Sequence, residues 1–201
     1  MKAVQNLPEN YKEILSVDLE KDKKLLWGVN IAALVICVAM ILPVTLFIVP
    51  IWTMIDTGQG IGSMLIKFAA TMGLLVIYII LHELVHGFAM KICGTKKVRY
   101  GFKGLYAFAG SDDYYDKKSY IFIALAPVVL WGVVLAVVNV LVPEEWFWII
   151  YIVQMQNISG AVGDYYVSLK FSRLPKDILI KDYGVGMTVY SATDDNSADS
   201  V

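Results

Sequence analysis

The sequence predicts an all-α polytopic membrane protein with four transmembrane helices and a short cytoplasmic strand or hairpin between the second and third. Three observations support this fold class. Of the 201 residues, 58% are hydrophobic and only 17% are charged, a balance well outside that of soluble domains. The apolar residues form four stretches long enough to cross a hydrocarbon core, which takes about 20 helical residues. The basic residues lie almost entirely outside these stretches.

The four spans are expected at about residues 27–49, 61–93, 120–142 and 146–169. Trp and Tyr residues lie near several of their ends, as in the aromatic belts of membrane proteins. The second stretch continues without a helix breaker through the segment LHELVHGF, residues 81–88. The third contains Pro127, which we interpret as a kink or packing feature.

The charge distribution predicts the orientation. All Lys and Arg residues except Lys67 lie before the first span, between residues 91 and 118, or from residue 170 onward. By the positive-inside rule, both termini and the central loop face the cytoplasm of a multi-pass protein of the cell membrane. Lys67 can snorkel to the outer surface.

Three regions follow from this topology. Residues 1–26 are expected to be a cytoplasmic segment, residues 27–190 a four-helix transmembrane domain, and the polar residues 191–201 a disordered tail. Residues 98–110, VRYGFKGLYAFAG, alternate apolar with charged or small residues before further glycines follow. This pattern predicts the strand or hairpin at the cytoplasmic face.

The only two histidines, His82 and His86, flank Glu83 at helical spacing. On a helix they are one turn apart and project from the same face. Two imidazoles so placed can bind one Zn²⁺, while Glu83 reaches the metal-bound water as a base. Ionisable residues within a span are energetically costly and usually mark a site. The alternative is a structural histidine pair.

Catalytic zinc takes three protein ligands and leaves one position for water. Because the chain has no third histidine, the remaining ligand must be Asp, Glu or Cys. Asp164 is the best candidate, since the second and fourth spans bring it to the same membrane depth as His82 and His86. Alternatively, Asp164 is a solvated carboxylate paired with Lys170.

Other polar residues could contribute to such a site. Asn157, two turns before Asp164, could donate to a developing oxyanion or could simply bond a neighbouring helix. Less suitable as ligands are the aspartates of a lysine-rich loop and a cysteine seven residues beyond His86: Asp112, Asp113, Asp116 and Cys93.

These motifs resemble a known family. HELVH in a second span, a cytoplasmic hairpin and a later intramembrane Asp resemble the site-2 protease group of intramembrane metalloproteases. Over about residues 60–185 the layout is more similar still to a small bacterial family described as putative zincin peptidases. The resemblance implies zinc held by His82, His86 and Asp164, with Glu83 as the catalytic acid and base. One departure is that glycine precedes Asp164, whereas the site-2 aspartate usually precedes a glycine and follows an Asn-Pro pattern.

We therefore expect an intramembrane zinc metalloprotease that hydrolyses peptide bonds of membrane-embedded or membrane-adjacent substrates. Its expected partners are a membrane protein or peptide substrate and the lipid bilayer, with no nucleic acid; a homo-oligomer stays open. Residues 98–110 could hold an unwound substrate as an added strand, or could only cap the helices.

Two other functions compete with this one. A prenyl-peptide-processing type of protease needs a downstream glutamate ligand. The only glutamates after Glu83 are Glu144 and Glu145, both expected on the opposite face of the membrane. The second alternative is a non-enzymatic metal-binding membrane regulator or transporter subunit, which would need the ligands but not Glu83.

Overall fold

The computed structural model describes residues 3–18, 21–55, 60–103, 106–184 and 186–192. Within them the protein is mostly helical, as predicted, with antiparallel strands at one end. The helices are α1 (Lys23–Phe47), α2 (Ile61–Ile92), α3 (Lys117–Leu141), α4 (Phe147–Gly160) and α5 (Val162–Ser172). Two short 3₁₀ helices, Ile51–Met54 and Glu144–Trp146, pack together at the end of the bundle away from the strands.

Three of the helices are long and apolar enough to cross a membrane: α1, α2 and α3. No residue of the most apolar part of α1 is buried within the protein, and only 17% of those of α2 and α3 are. Soluble monomers rarely expose contiguous apolar surface on this scale. The three helices are therefore candidate membrane spans, and they present most of their side chains outward.

The fourth expected span, at residues 146–169, is not one helix. α4 ends at Gly160 after 14 residues, and α5 begins at Val162. Ala161 lies between them outside helical geometry, with ψ of 15°. Gly160 and Gly163 flank the break, and glycine weakens a helix because it loses the most backbone entropy there. The break puts Asp164 in the first turn of a new helix.

The expectation of an all-α fold is wrong in one respect, because the structure contains a five-stranded antiparallel sheet. Its strands are β1 (Ala3–Val4), β2 (Tyr11–Asp18), β5 (Tyr114–Asp116), β6 (Leu179–Asp182) and β7 (Gly186–Ala192). Their order in the sheet is β1-β5-β6-β7-β2. They come from segments far apart in the chain, so the pairing leaves little local pattern in the sequence.

The sheet joins both chain ends to the helix bundle. β2 pairs with β7 along its length, from Tyr11 opposite Ala192 to Asp18 opposite Gly186. The predicted N-terminal segment therefore contains two strands, and the predicted tail from residue 191 is wrong for its first two residues; residues 193–201 lie outside the described part. The main core lies between the sheet and the ends of α2, α3 and α5, and includes Tyr115, Phe171 and Ile180.

The hairpin predicted at residues 98–110 is confirmed. β3 (Val98–Lys103) pairs with β4 (Tyr106–Ser111) in a two-stranded antiparallel sheet. Beyond β4, both terminal nitrogens of the Arg99 guanidinium, Nη1 and Nη2, donate to the Asp112 carboxylate, at 3.1 and 3.0 Å. Residues 104 and 105, between the strands, lie outside the described residues.

A Schellman motif ends α2 beyond the HELVH segment. The N–H of Gly94 donates to Lys91 O, and the N–H of Thr95 donates to Met90 O. Gly94 has φ of +101°, a left-handed conformation that glycine adopts without strain. The chain then turns sharply into the hairpin, which brings β3 and β4 back alongside the last turns of α2.

Candidate metal centre

His82, His86 and Asp164 meet between two helices. α2 presents both imidazoles from adjacent turns, and the first turn of α5 presents the carboxylate. His82 Nε2 lies 3.5 Å from Asp164 Oδ2, and His86 Nε2 lies 3.7 Å from Asp164 Oδ1. One ligand atom from each residue lies within 4.8 Å of the other two. Sequence reasoning placed Asp164 at this depth, and the structure brings it to the histidines.

The spacing of these atoms fits a zinc ion better than a direct ion pair. Charge-assisted hydrogen bonds are about 2.7–2.9 Å long, and both Nε2–carboxylate distances exceed this. Ligands about 2.0–2.1 Å from a tetrahedral zinc would lie about 3.3–3.4 Å apart, close to the observed separations. Two imidazole nitrogens and one carboxylate oxygen are also a donor set that catalytic zinc uses.

The imidazole of His86 is held in the tautomer that leaves Nε2 free to bind metal. Its Nδ1 lies 2.9 Å from the backbone carbonyl oxygen of Ile123 in α3. A carbonyl oxygen only accepts hydrogen bonds, so Nδ1 must carry the proton. The lone pair is therefore on Nε2, the atom that faces Asp164. Metal-ligating histidines are usually oriented in this way.

His82 is oriented through a relay of two side chains. The Nδ2 of Asn157 donates to Val128 O at 3.2 Å, which directs Oδ1 toward Tyr78. The Tyr78 hydroxyl donates its single proton to that Oδ1 at 2.8 Å. It must therefore accept the hydrogen bond from His82 Nδ1, also at 2.8 Å, and His82 Nε2 carries the lone pair.

These hydrogen bonds favour the interpretation of Asn157 as a residue that bonds neighbouring helices. The residue is fully buried and bonds both α2 and α3, as expected for an Asn that joins neighbouring helices. Its contacts support the position of His82. Sequence reasoning missed Tyr78, although it lies four residues before His82 and so on the same face of α2.

Glu83 lies beside the imidazoles and under the hairpin. Its carboxylate faces the backbone N–H of Ala109 in β4. Because Ala109 N–H points to Glu83, it points away from the partner residue Tyr100 in β3. In an antiparallel pair this pattern repeats every two residues. The N–H groups of Ala107, Ala109 and Ser111 therefore lie on the edge of β4 that faces the site.

The hairpin rests on α2 through a glycine. A Cβ on Gly87 would clash with the Tyr100 hydroxyl oxygen, so only glycine lets the tyrosine lie so close to the helix. Tyr100 is still 46% exposed. Partial burial and the nearby Glu83 carboxylate raise the pKa of Tyr100. The hydroxyl thus lies at the mouth of the site, one turn of α2 from Glu83.

Asp182, a buried carboxylate, supports the hairpin from the sheet. Its Oδ2 accepts from the Tyr120 hydroxyl at 3.1 Å, and its Oδ1 accepts from Gly184 N–H at 2.7 Å. The resulting turn packs on the hairpin, since a Cβ on Gly110 would lie 2.8 Å from the carbonyl carbon of Tyr183. Burial raises the pKa of Asp182 to about 6.

The less suitable ligand candidates lie elsewhere. Asp112 pairs with Arg99 on the surface, and Asp116 caps α3 by accepting from Ser119 N–H. Asp113 follows the hairpin, where its N–H donates to Ser111 Oγ. Cys93 is buried in the core beneath the sheet. The structure thus brings only Asp164, among these candidates, to the two histidines.

An HExxH helix with a carboxylate from a second helix is typical of zinc metallopeptidases. Here the helix that carries HExxH, α2, is long and apolar enough to span a membrane. Residues 75–179 match the model of the family described as "Putative zincin peptidase". The match covers just over half of the chain and includes all three candidate ligands, and the chain belongs to this family. No curated protein and no solved structure matches it.

Proposed function

We propose that the protein is an intramembrane zinc metalloprotease that hydrolyses peptide bonds of membrane-embedded or membrane-adjacent substrates. The observation that carries the proposal is the convergence of His82, His86 and Asp164 beside Glu83, on a helix able to cross a bilayer. Membership of the zincin peptidase family supports zinc as the metal and peptide hydrolysis as the reaction.

His82 and His86 would hold zinc through Nε2, and Asp164 through a carboxylate oxygen. Zinc at this position supplies Lewis acidity, which acidifies water and polarises the scissile carbonyl. The position of Asp164 in the first turn of α5 suits a carboxylate, because the helix dipole favours negative charge there.

Glu83 would act first as the general base and then as the general acid of the reaction. In this role its carboxylate takes a proton from the attacking water and delivers it to the nitrogen of the leaving amine. The Ala109 N–H faces the Glu83 carboxylate and so favours its charged form beside the hairpin. Glutamine at this position would keep the shape of Glu83 but could not accept the proton.

The site-facing edge of β4 would bind the substrate as an added strand. A helical substrate hides its carbonyl groups in its own hydrogen bonds, so it must unwind before hydrolysis. An exposed strand edge binds extended peptides through main-chain hydrogen bonds. The N–H of Ala107 lies on the same edge of β4, two residues before the Ala109 N–H that faces Glu83, where a bound strand would be presented to the metal.

Proline substitutions on the two edges of the hairpin test this binding mode. Ala107→Pro removes an N–H from the site-facing edge, whereas Phe102→Pro removes the N–H of its cross-strand partner on the opposite edge. We expect Ala107→Pro to lower cleavage at least tenfold more than Phe102→Pro, with equal zinc content. Equal effects of the two prolines on cleavage would contradict binding at β4.

We also propose that both termini face the cytoplasm. The N-terminal β2 and the C-terminal β7 pair in one sheet, which supports a common side, and the distribution of Lys and Arg supports the cytoplasm. In sealed inverted vesicles, a membrane-impermeant thiol reagent should label both Ser16→Cys and Ser191→Cys in a chain lacking its native cysteines. Labelling of either site only in right-side-out vesicles would contradict this topology.

The activity itself can be tested with the purified protein in proteoliposomes. The probe is a panel of single-span model peptides co-reconstituted with the protein, and products are identified by mass spectrometry. Wild-type protein with zinc should cleave members of the panel, and Glu83→Gln should retain zinc but lose cleavage. Zinc binding without cleavage by the wild type would favour the non-enzymatic metal-binding alternative.

A further inference from the structure

Pro127, in the middle of α3, changes the hydrogen bonding of the helix next to the metal centre. In an α-helix the N–H of each residue donates to the carbonyl four residues earlier. Proline has no N–H, so Pro127 leaves the Ile123 carbonyl without its helical donor. That carbonyl is the one that accepts from His86 Nδ1, at 2.9 Å.

We infer that Pro127 is a positioning residue of the metal centre: it frees the Ile123 carbonyl to hold His86 in the tautomer and orientation that direct Nε2 at the metal. The inference rests on the proposed zinc site. Pro127 would act on His86 through a carbonyl of its own helix, by one hydrogen bond.

The surroundings of this hydrogen bond explain why the free carbonyl matters. Ile123 and Pro127 are both buried where α3 packs on α2, so water is a poor substitute donor there. A buried carbonyl without a partner is destabilising. The imidazole N–H of His86 therefore satisfies the carbonyl, and the carbonyl in turn orients the imidazole.

An N–H at position 127 would compete with His86 for the same oxygen. The helical bond is local and would form as α3 forms. It would therefore draw the carbonyl along the helix axis and weaken its bond to the imidazole. The ring of His86 would then be less constrained, and Nε2 would point at the metal for a smaller share of the time.

Pro127→Ala tests the inference because it should weaken zinc binding without destabilising the protein. Restoring a helical hydrogen bond should leave the thermal stability of the metal-free protein unchanged or raise it. Zinc affinity, measured by competition with a chelator, should fall by about 10–100-fold, as for loss of other groups that orient metal ligands. A proline with only a structural role would produce no selective loss of zinc affinity.

Pro43→Ala is the matched control. Pro43 also lies inside a membrane-spanning helix, α1. Its neighbour Val44 packs with Val49 and Trp148 in a separate cluster near the opposite end of the bundle. This variant should bind zinc as the wild type does.

The outcomes separate the inference from the proposed function. If the wild type binds no zinc, the proposed metal site fails. If the wild type binds zinc and Pro127→Ala binds it equally well, the inference alone is overturned.

Should Pro127→Ala fail to fold, Pro127→Val adds the same N–H with a side chain closer in volume to proline, and it carries the same expectation. Nitrogen-15 spectra of labelled histidine should show the Nδ1–H tautomer for His86 in the wild type and a mixture in the variant.

Discussion

At the scale of single residues, the metal centre depends on groups that never contact the metal position. Each histidine has one nitrogen directed at Asp164 and the other fixed by a hydrogen bond, to the Ile123 carbonyl for His86 and to the Tyr78 hydroxyl for His82. An imidazole without such a partner rotates and exchanges tautomers. The polar atoms around the ligands therefore determine how well the site is prepared for a metal.

Tyr78→Phe tests whether the hydrogen bond at Nδ1 prepares His82 to bind a metal. The change removes the acceptor for His82 Nδ1 and the donor to Asn157 Oδ1 while keeping the aromatic ring. We expect zinc affinity to fall by about 10–100-fold, measured by chelator competition in detergent. Tyr151→Phe is the control, because the Tyr151 hydroxyl donates to Met40 O in α1, away from the metal centre. Equal affinities for the two variants would contradict the role of the relay.

Asp182 predicts a pH dependence of stability. Burial raises the pKa of this carboxyl from 3.8 to about 6, so between these values the folded state binds more protons than the unfolded state. Stability should therefore fall as the pH rises from about 4 to about 6, by an amount on the order of a few kcal/mol. Asp182→Asn has no proton to lose, and its thermal unfolding midpoint in detergent should drop less than that of the wild type across this range. Parallel curves for the two proteins would contradict the assignment.

At the scale of helices and strands, two local features bring the candidate site residues together. The break at Ala161 starts a new helix whose first turn carries Asp164 toward α2. The Schellman turn at Gly94 returns the chain so that the hairpin lies along the last turns of α2. A continuous helix in either place would carry Asp164 or β4 away from the histidines.

Gly87→Ala tests whether the contact between Tyr100 and Gly87 holds the hairpin on α2. The added Cβ would occupy the position of the Tyr100 hydroxyl, so the tyrosine side chain must move off α2 and the hairpin would lose this contact. Alanine favours the helix, and we expect normal folding and zinc content with cleavage at least tenfold lower. Gly73→Ala, in the same helix but with open space around it, should cleave model peptides as the wild type does. Equal cleavage by both variants would contradict the seating of the hairpin on Gly87.

At the scale of the whole molecule, the sequence predicts what is local and misses what is long-range. The apolar lengths of α1, α2 and α3, the hairpin, and the helical spacing of His82, Glu83 and His86 are all local patterns, and the structure has them where they were expected. The five-stranded sheet was missed because its strands are short, partly charged and far apart in the chain.

The candidate site shows the same limit. Asp164 could be placed because membrane depth constrains both helices in one dimension. The relay through Tyr78 and Asn157, and the carbonyl freed by Pro127, depend on how α2, α3 and α4 are rotated against one another. Periodicity alone does not determine that rotation, since the spanning helices are apolar on nearly every face.

The most direct test of a three-ligand zinc site is the metal content of the detergent-purified protein. Wild type, Glu83→Gln, His86→Ala and Asp164→Ala would be compared by elemental analysis after reconstitution with zinc. We predict about one zinc per chain in the wild type and in Glu83→Gln, and its loss in both other variants. Zinc retained in Asp164→Ala, or absent from the wild type, would contradict the metal centre described here.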